Sequence, residues 1–554
     1  MKTTGADTGG LSRNTAVMAA GTLLSRVTGF GRVFALAYAL GFTRLADAYN
    51  LANTTPNILY DLVLGGVLSA TLVPVFVTHL SGESGLSDKS DEAGESDEDP
   101  WRAISAVVTA AAVVLAALSC LFALLAPLVI RAYTALNTTP SAAPQRAVAT
   151  SLLRWFAPQI FLLGAIAVTA AVLNARRNFA TPAFSPVINN VVAIAVILAT
   201  PHLARSLDLG DVRHDARALA FLGLGTTAGY LAQALWQLPA LKRAGVRLHW
   251  VWDLHDPAVR RVARLSTWTF GSVISNQVAL FVVLVLAARV DGGVSAYSAA
   301  FLFFQLPYGI LTVSVMRALQ PDLAAAWAAG DIGRFRAQLV DGVRLTAALL
   351  IPAAVGYALL ARPIIQLVLE HGRLTHAQAR STGDTLALLA VGLPGFSAYL
   401  LLIAAFQAMQ DTRTMFRLDL LENGTNIVLA AALFPSLHVQ GLAVSYSVAY
   451  AVAAVAAVIT LQRHLGDREP EPRQPRGPGR QLALATVRVV AASAVMGVVV
   501  AAVAQAVGTG SRPRLILDVG ASVVVGATVY LITARVLGVS ELVSLLARLR
   551  RRRA

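Results

Sequence analysis

Long apolar segments, separated by short polar connections, extend along almost the whole chain. A run of roughly 20 apolar residues is long enough to cross the hydrocarbon core of a bilayer as an α-helix. Counting such runs predicts about fourteen spans, and therefore an all-α polytopic membrane protein. The predicted ranges are 14–42, 51–80, 101–133, 147–174, 183–204, 216–241, 262–289, 294–327, 335–361, 382–409, 414–434, 438–464, 481–507 and 514–546.

Two polar segments divide this pattern. An acidic stretch rich in Ser and Gly, residues 81–100, is predicted to be a disordered connector. A proline-rich charged segment, residues 466–480, separates twelve spans from the last two. The sequence around residues 47–56 is loosely repeated at 295–307, which favours two six-helix lobes of the same orientation. The predicted parts are an N-terminal lobe (1–241), a C-terminal lobe (242–465), a cytoplasmic linker (466–480), a two-helix hairpin (481–547) and a basic tail (548–554).

Composition and charge support the same class of protein. The chain is 56% hydrophobic and only 14% charged, which is too little polar surface for a soluble protein of 554 residues. The net charge of +15 comes from arginines in short connections, without a basic stripe interleaved with aromatics, so nucleic acid is not an expected partner. The positive-inside rule then predicts cytoplasmic N- and C-termini in the cell membrane. Cys120, the single cysteine, cannot form an intrachain disulfide and is expected to pack in an apolar helix.

The first predicted span contains the chain's most informative residues, Arg26 and Arg32. Arginine at membrane depth costs several kcal/mol if it faces lipid, and its guanidinium is suited to binding an anion bidentately. One interpretation is that both arginines line a wet cavity that takes an anionic head group. The other is that one reaches a membrane face while its neighbour forms a structural ion pair.

Helix geometry bears on this choice. The two arginines are six positions apart in the sequence, which places their side chains about 120° apart around a helix and about 9 Å apart along it. A straight helix would therefore point them in different directions. Gly29 and Gly31 lie between them and lower the cost of a bend, so we predict a hinge that turns both guanidinium groups into one space.

A polar group in the eleventh span is a second candidate site. Asp419 and Asn423 are one helical turn apart on the same side, and Glu422 lies beside them. Their oxygens are candidates for a cation site. The alternative is a polar patch that packs between helices or lies near a membrane face.

Several motifs resemble a known family. The motif SRVTGFGR at residues 25–32, the Leu-Ala-Asp-Ala-Tyr sequence at 45–49, and Pro-Asn at 56–57 resemble the opening of MurJ (MviN), the lipid II flippases of peptidoglycan synthesis. The sequences at 305–310 and 408–413 resemble the corresponding parts of the second lobe. The resemblance covers residues 14 to about 465 in order, with two further spans where the family also has them.

The resemblance implies a fold and a substrate. The fold is that of the multidrug, oligosaccharidyl-lipid and polysaccharide exporter superfamily, in which two six-helix lobes form a V-shaped cavity. The substrate is lipid II, undecaprenyl-pyrophosphoryl-disaccharide-pentapeptide, which alternating access moves from the cytoplasmic to the outer leaflet. The family's two cavity arginines match Arg26 and Arg32, its acidic first-loop residue matches Asp47, and its last two helices form a groove for the lipid tail.

The chain also departs from the family pattern. Well-known members have a basic residue after Pro-Asn, where this chain has Tyr60 and Asp61, and an arginine in the eighth helix, where it has residues 300–302, Ala-Phe-Leu. Arg317 is a candidate replacement for the missing charge, and Asp61 is a candidate to pair with Arg26 or Arg32 when the cavity is empty. The candidate substrate-binding residues are therefore Ser25, Arg26, Arg32, Asp47, Asn57, Asp61 and Arg317.

Other functions remain open at this point. The nearest alternative is an exporter of another lipid-linked oligosaccharide or of a drug, and a more distant one is a membrane enzyme that uses polyprenyl-phosphate sugars. A flippase breaks no bond, so neither catalytic residues nor a cofactor are expected. A coupled monovalent cation or the membrane potential would supply the energy. Expected partners are lipid II, membrane lipids and the cell-wall synthesis or division machinery.

Overall fold

The computed structural model describes residues 8–62, 100–176, 178–246, 249–252, 267–466, 477–507 and 512–539. Within these ranges the regular structure is entirely helical, as the apolar runs predict. The chain divides into two compact units, Met1–Gln277 and Val278–Ala554, and the division falls inside one helix. The first unit contains α1 (Thr8–Leu40), α2 (Arg44–Tyr60), α3 (Pro100–Tyr133), α4 (Ala142–Phe156), α5 (Pro158–Ala175), α6 (Ala180–Leu203), α7 (Leu209–Val212), α8 (Ala216–Arg243) and the start of α9 (Thr267–Ala287).

The second unit continues from α9 to the C-terminal hairpin. Its helices are α10 (Gly293–Pro307), α11 (Val313–Ala328), α12 (Ile332–Leu369), α13 (His376–Val391), α14 (Leu393–Ala408), α15 (Thr412–Gly466), α16 (Gly477–Val507) and α17 (Arg512–Val536). A single π-helical turn, Tyr308–Thr312, joins α10 to α11 directly after Pro307.

The predicted spans agree with these helices in position. Each predicted range overlaps an observed helix, and the range 51–80 continues beyond α2 into residues outside the described part of the chain. Ten helical stretches of the described residues are long and apolar enough to cross a membrane, with α4 and α5 counted as one stretch and α10 and α11 as another. The count is eleven if α13 and α14, bent by 47°, form one broken span. The long α15 is interrupted at His438, whose φ of 51° is not helical, so it corresponds to the two predicted spans 414–434 and 438–464.

Proline and polar caps explain the helix boundaries. Pro158 has no N–H to continue α4, so the chain restarts there as α5, and the hydroxyl of Ser119 donates to the carbonyl of Ala157 at the break. At the start of α8, the Asp215 carboxylate accepts hydrogen bonds from the backbone N–H groups of Ala218 and Arg205, which lower the pKa of this carboxyl group.

Within the first unit, α1 packs along α6 through small residues. The added Cβ of a residue at Gly21 would lie 2.9 Å from the Cβ of Ala183, so only glycine allows this approach. The Asn190 side chain of α6 donates to the carbonyl of Ser25 (3.2 Å) and to the hydroxyl of Thr28 (3.0 Å). These contacts fix the face of α1 on which the SRVTGFGR motif lies.

Three sequence predictions lie wholly or mainly outside the described residues. They are the disordered connector 81–100, the linker 466–480 and the basic tail 548–554. The packing role expected for Cys120 is wrong, because its side chain is exposed on α3 beside an apolar groove. Apolar surroundings in sequence do not distinguish a helix face that meets other helices from one that meets lipid.

Candidate functional site

Arg32 lies in a polar network between three helices of the first unit. Its Nη2 donates to the hydroxyl of Tyr49 at 3.1 Å, and the Tyr49 hydroxyl lies 3.3 Å from the hydroxyl of Thr226 on α8. Tyr230, one turn after Thr226, lies beside the same guanidinium. Tyr49 is only 1% exposed and its ring packs edge-on against Phe156, so the hydroxyl that orients Arg32 is held rigidly.

The side chains around the Arg32 guanidinium are uncharged, so they do not neutralise its positive charge. Tyrosine and threonine hydroxyls accept a hydrogen bond but carry no charge. Among the described residues, no carboxylate forms an ion pair with Arg32. The half-buried guanidinium therefore keeps its positive charge, and most of its five N–H donors are available to an anion.

Arg26 is placed differently. Its side chain is exposed on α1, and it makes no hydrogen bond or ion pair to any residue in the described ranges. The helix is continuous from Thr8 to Leu40, so the two arginines keep the separation of about 120° expected for a regular helix. The structure thus gives Arg32 a positioned side chain and leaves Arg26 free to reorient.

Helix α1 is not interrupted at the predicted hinge in this structure. Gly29 and Gly31 are both helical, and both face α6: an added Cβ would lie 3.8 Å from Asn190 at the first and 3.2 Å from Ile194 at the second. Their observed role is close packing between helices. A hinge at these glycines in another conformation stays a prediction.

The other candidates of the first unit occupy separate places. The carbonyl of Ser25 is used in the contact with α6. Asp47 is fully buried in the first turn of α2, where a negative charge complements the helix dipole. Asn57, half-buried one turn after Asn53, donates its side-chain amide to the carbonyl of that residue. Their predicted contacts with substrate stay predictions.

Asp61 does not pair with either arginine in this structure. Its Oδ2 accepts a hydrogen bond from the Gln277 side chain at 3.1 Å. Because Asp61 follows Tyr49 by twelve residues, it lies about 18 Å farther along α2, whereas Arg32 bonds to Tyr49 itself. The hypothesis of an Asp61–Arg32 pair is therefore not realised here.

The second unit contains Arg317 and the segment that lacks the family's arginine. Arg317 is exposed on α11, just after the π-helical turn. Residues 300–302 instead contribute Phe301, whose ring contacts Tyr297 and Tyr446. An aromatic cluster thus occupies the region of the absent cation.

The polar group of α15 is enclosed by tyrosines. The Tyr399 hydroxyl donates to Oδ1 of Asp419, and the Asn423 side chain donates to the backbone carbonyl of Asp419 at 2.8 Å. Glu422 is 2% exposed and lies close enough to Asp419 and Tyr450 to interact electrostatically. The described part of the chain holds no group of three His, Cys, Asp or Glu residues suited to a metal. A monovalent cation at Asp419 and Asn423 stays a prediction.

The C-terminal hairpin forms one side of an apolar groove. Helices α16 and α17 pack against α12, and the groove between them has a volume of about 400 Å³. Its lining includes Leu349, Gly356, Met496, Gly526 and Leu531. The shape and apolar surface are compatible with a lipid tail, the role that the family resemblance implies for this hairpin.

Sequence reasoning missed the partners that position Arg32 and Asp61. These partners lie on three helices that are far apart in the chain: Tyr49, Thr226, Tyr230 and Gln277. Each lies on a different helix from the residue it contacts, so periodicity within one helix does not reveal the pair. The only available signal was the presence of polar side chains within apolar spans, which does not say which of them meet.

Comparison with known proteins gives a consistent picture. The family model described as Lipid II flippase MurJ matches residues 36–516. The chain is 28% identical to a probable lipid II flippase MurJ of Rhizobium meliloti (strain 1021), over 81% of this chain and 80% of the relative. It is 29% identical to the lipid II flippase MurJ of Burkholderia cenocepacia, over 71% of this chain and 72% of the relative.

Solved structures support the fold. A lipid II flippase MurJ in an inward closed conformation superposes with a TM-score of 0.73 at 20% identity, covering 94% of this chain and 99% of that one. An inward-facing multidrug resistance transporter of the MATE family, described as a member of the MOP superfamily, gives a TM-score of 0.63 at 11% identity, over 80% and 94% of the two chains. The exporter fold expected from the sequence is confirmed.

Proposed function

The chain belongs to the lipid II flippase MurJ family, and from that premise we propose that it moves lipid II from the cytoplasmic to the outer leaflet by alternating access. Such a protein is a transporter and breaks no covalent bond. The match of the family model over residues 36–516 is the observation that carries this proposal.

The environment of Arg32 supports a role in binding the pyrophosphate. A cation within a membrane span is unfavourable by about 2.5 to 3.5 kcal/mol, so its retention requires a compensating interaction. Tyr49 supplies a hydrogen bond but no charge, and so it orients the guanidinium without neutralising it. A phosphate oxygen can then accept charge-assisted hydrogen bonds from the remaining N–H donors.

Arg26 has a complementary role in this proposal. The pyrophosphate group carries two phosphates, and an exposed arginine about 9 Å along the same helix can move toward the second of them. The family's further cations are absent at residues 60–61 and 300–302 of this chain. Arg26 and Arg32 therefore supply most of the positive charge, with Arg317 as a candidate third group.

The energy source and orientation complete the proposal. The membrane potential supplies about 2.3 kcal/mol per charge per 100 mV, and the buried polar group around Asp419 and Asn423 is a candidate site for a coupled monovalent cation. Both termini are proposed to be cytoplasmic in the cell membrane. The cell-wall synthesis and division machinery is the proposed source of protein partners.

Rescue of a bacterial strain depleted of its own lipid II flippase tests this function. Expression of this chain should restore growth and normal cell shape, whereas a drug exporter of the same superfamily expressed at the same level should not. Lysis despite correct membrane insertion of this chain would overturn the proposal and favour an exporter of another lipid-linked saccharide.

A further inference from the structure

A second cationic site lies in the first unit, on α3 and α4 rather than on α1. The end of α3 and one side of α4 line a cavity of about 440 Å³ that contains three arginines and two hydroxyl groups. Its lining residues are Pro127, Arg131, Ala143, Arg146, Ala147, Thr150, Ser151 and Arg154. None of these eight residues is acidic, so the cavity has an uncompensated positive charge.

The three arginines are held to different degrees. Arg146 donates from Nε to the hydroxyl of Thr134 at 2.9 Å and from Nη2 to the carbonyls of Thr134 and Asn137, which fixes its side chain. Arg131 and Arg154 are exposed, and in the described ranges neither forms a hydrogen bond or an ion pair. One anchored and two available guanidinium groups, with the Thr150 and Ser151 hydroxyls, form a cradle that suits a phosphate.

A separate apolar groove lies nearer the middle of α3. It has a volume of about 720 Å³ and lies between α3, α5 and α8. Its lining residues are Ala116, Ser119, Cys120, Pro158, Phe161, Leu162, Leu224, Thr227, Ala228 and Leu231.

Helix geometry aligns the cavity with the groove. On α3, Arg131 follows Cys120 by eleven residues, which places the two on nearly the same face and about 16 Å apart. Arg154 lies four residues before the Pro158 break, and Phe161 lies three residues after it. A separation of about 16 Å matches half of the roughly 30 Å hydrocarbon thickness, the distance over which a lipid extends from its phosphate into the bilayer.

We propose that this face binds one anionic phospholipid, with its phosphate held by Arg131, Arg146 and Arg154 and an acyl chain in the groove around Cys120 and Phe161. The positive charge selects an anionic head group, and the apolar groove farther along α3 selects a lipid over free phosphate. With both termini cytoplasmic, the site faces the outer leaflet. The proposal is independent of the transported substrate and of Arg32.

Lipid binding to the purified full chain tests the proposal. Native mass spectrometry would compare phosphatidylglycerol with phosphatidylcholine for wild type, for the double variant Arg131→Ala and Arg154→Ala, and for the control Arg213→Ala. Arg213 is an exposed arginine on the loop before α8 whose side chain contacts His214. The double variant should bind phosphatidylglycerol about thirtyfold more weakly, as expected for two basic residues at an anionic membrane surface, and the control should match wild type.

The groove and the source of the phosphate are tested separately. Ala228→Phe fills the groove from its exposed side and should weaken phosphatidylglycerol binding, while inorganic phosphate should not displace the lipid. Any of three results would overturn the proposal. They are equal binding of phosphatidylglycerol and phosphatidylcholine to wild type, equal phosphatidylglycerol affinity of the double variant and the control, and displacement of the lipid by inorganic phosphate. Wild-type binding by Ala228→Phe would overturn the placement of the acyl chain. The variants Arg131→Gln and Arg154→Gln replace the alanine variants if thermal unfolding shows that the latter are misfolded.

Discussion

Tyr49 is predicted to control how well Arg32 binds a pyrophosphate. The substitution Tyr49→Phe removes one hydroxyl and leaves the ring that packs against Phe156. Thr226 keeps its hydrogen bond to the carbonyl of Leu222 at 2.7 Å, so no buried hydroxyl is left unpaired. The perturbation is therefore confined to the guanidinium.

The expected magnitude follows from the lost contact. Hydrogen bonds to charged groups contribute about 1.5 to 3 kcal/mol, and 1.4 kcal/mol is about tenfold in an equilibrium constant. Some of this is recovered because Tyr230 lies beside the same guanidinium. We therefore expect affinity for a polyprenyl-pyrophosphate lipid to fall about tenfold in Tyr49→Phe, without loss of expression.

Binding of a fluorescent polyprenyl-pyrophosphate lipid to protein in nanodiscs measures this effect. Tyr38→Phe is the matched control, because Tyr38 is exposed on α1 and stacks on Phe34. If Tyr49→Phe binds the lipid as tightly as wild type and Tyr38→Phe do, then Tyr49 does not orient Arg32 for substrate and this part of the account is incorrect.

Two further predictions concern stability and are measured by thermal unfolding in detergent. Gly223→Ala would place a Cβ 2.6 Å from the Cβ of Trp155 and should destabilise the protein by about 1 to 3 kcal/mol. Gly424→Ala is the control, because an added Cβ there has no atom within 4 Å, and it should be neutral or stabilising. Equal unfolding midpoints for the two variants would contradict the close contact between Gly223 and Trp155. Asp215→Ala should lower the midpoint at pH 7 by removing the cap of α8. Hydrogen bonds from the backbone N–H of Ala218 and of neighbouring residues lower the pKa of Asp215, so the stabilisation that it provides is complete above about pH 4 and is lost as the pH falls further. If the midpoints of wild type and Asp215→Ala still differ at lower pH, the ionised carboxylate is not the cause.

The sequence predicted the helical architecture well because the bilayer constrains it strongly. A span must be apolar over about 20 residues, and this signal is local, so each predicted range overlaps a helix. The break at His438 was also placed correctly, since a short polar interval separates two apolar runs there. The fold then followed from motifs that resemble a family.

The details of the site depended on contacts between distant segments. Arg32 was identified from its cost in a membrane, but its partner Tyr49 is recognisable only once α1 and α2 are placed together. The predicted pair of Asp61 with Arg26 or Arg32 is not present in the structure. Asp61 instead accepts a hydrogen bond from Gln277, which lies more than 200 residues away in the sequence. The sequence predicts a hinge at Gly29, and the structure shows this glycine in contact with Asn190 of α6. The periodicity of a sequence identifies which face of a helix a residue lies on, but not which helix or lipid that face contacts.

Exposure of lipid II on the outer leaflet tests the central claim most directly. The assay would compare wild type, Arg26→Ala, Arg32→Ala and the control Arg213→Ala in cells that depend on this chain, with membrane insertion checked for each. We expect exposure to be lost in Arg26→Ala and in Arg32→Ala and to be kept in Arg213→Ala. Wild-type exposure of lipid II in both Arg26→Ala and Arg32→Ala would show that these guanidinium groups do not carry the pyrophosphate.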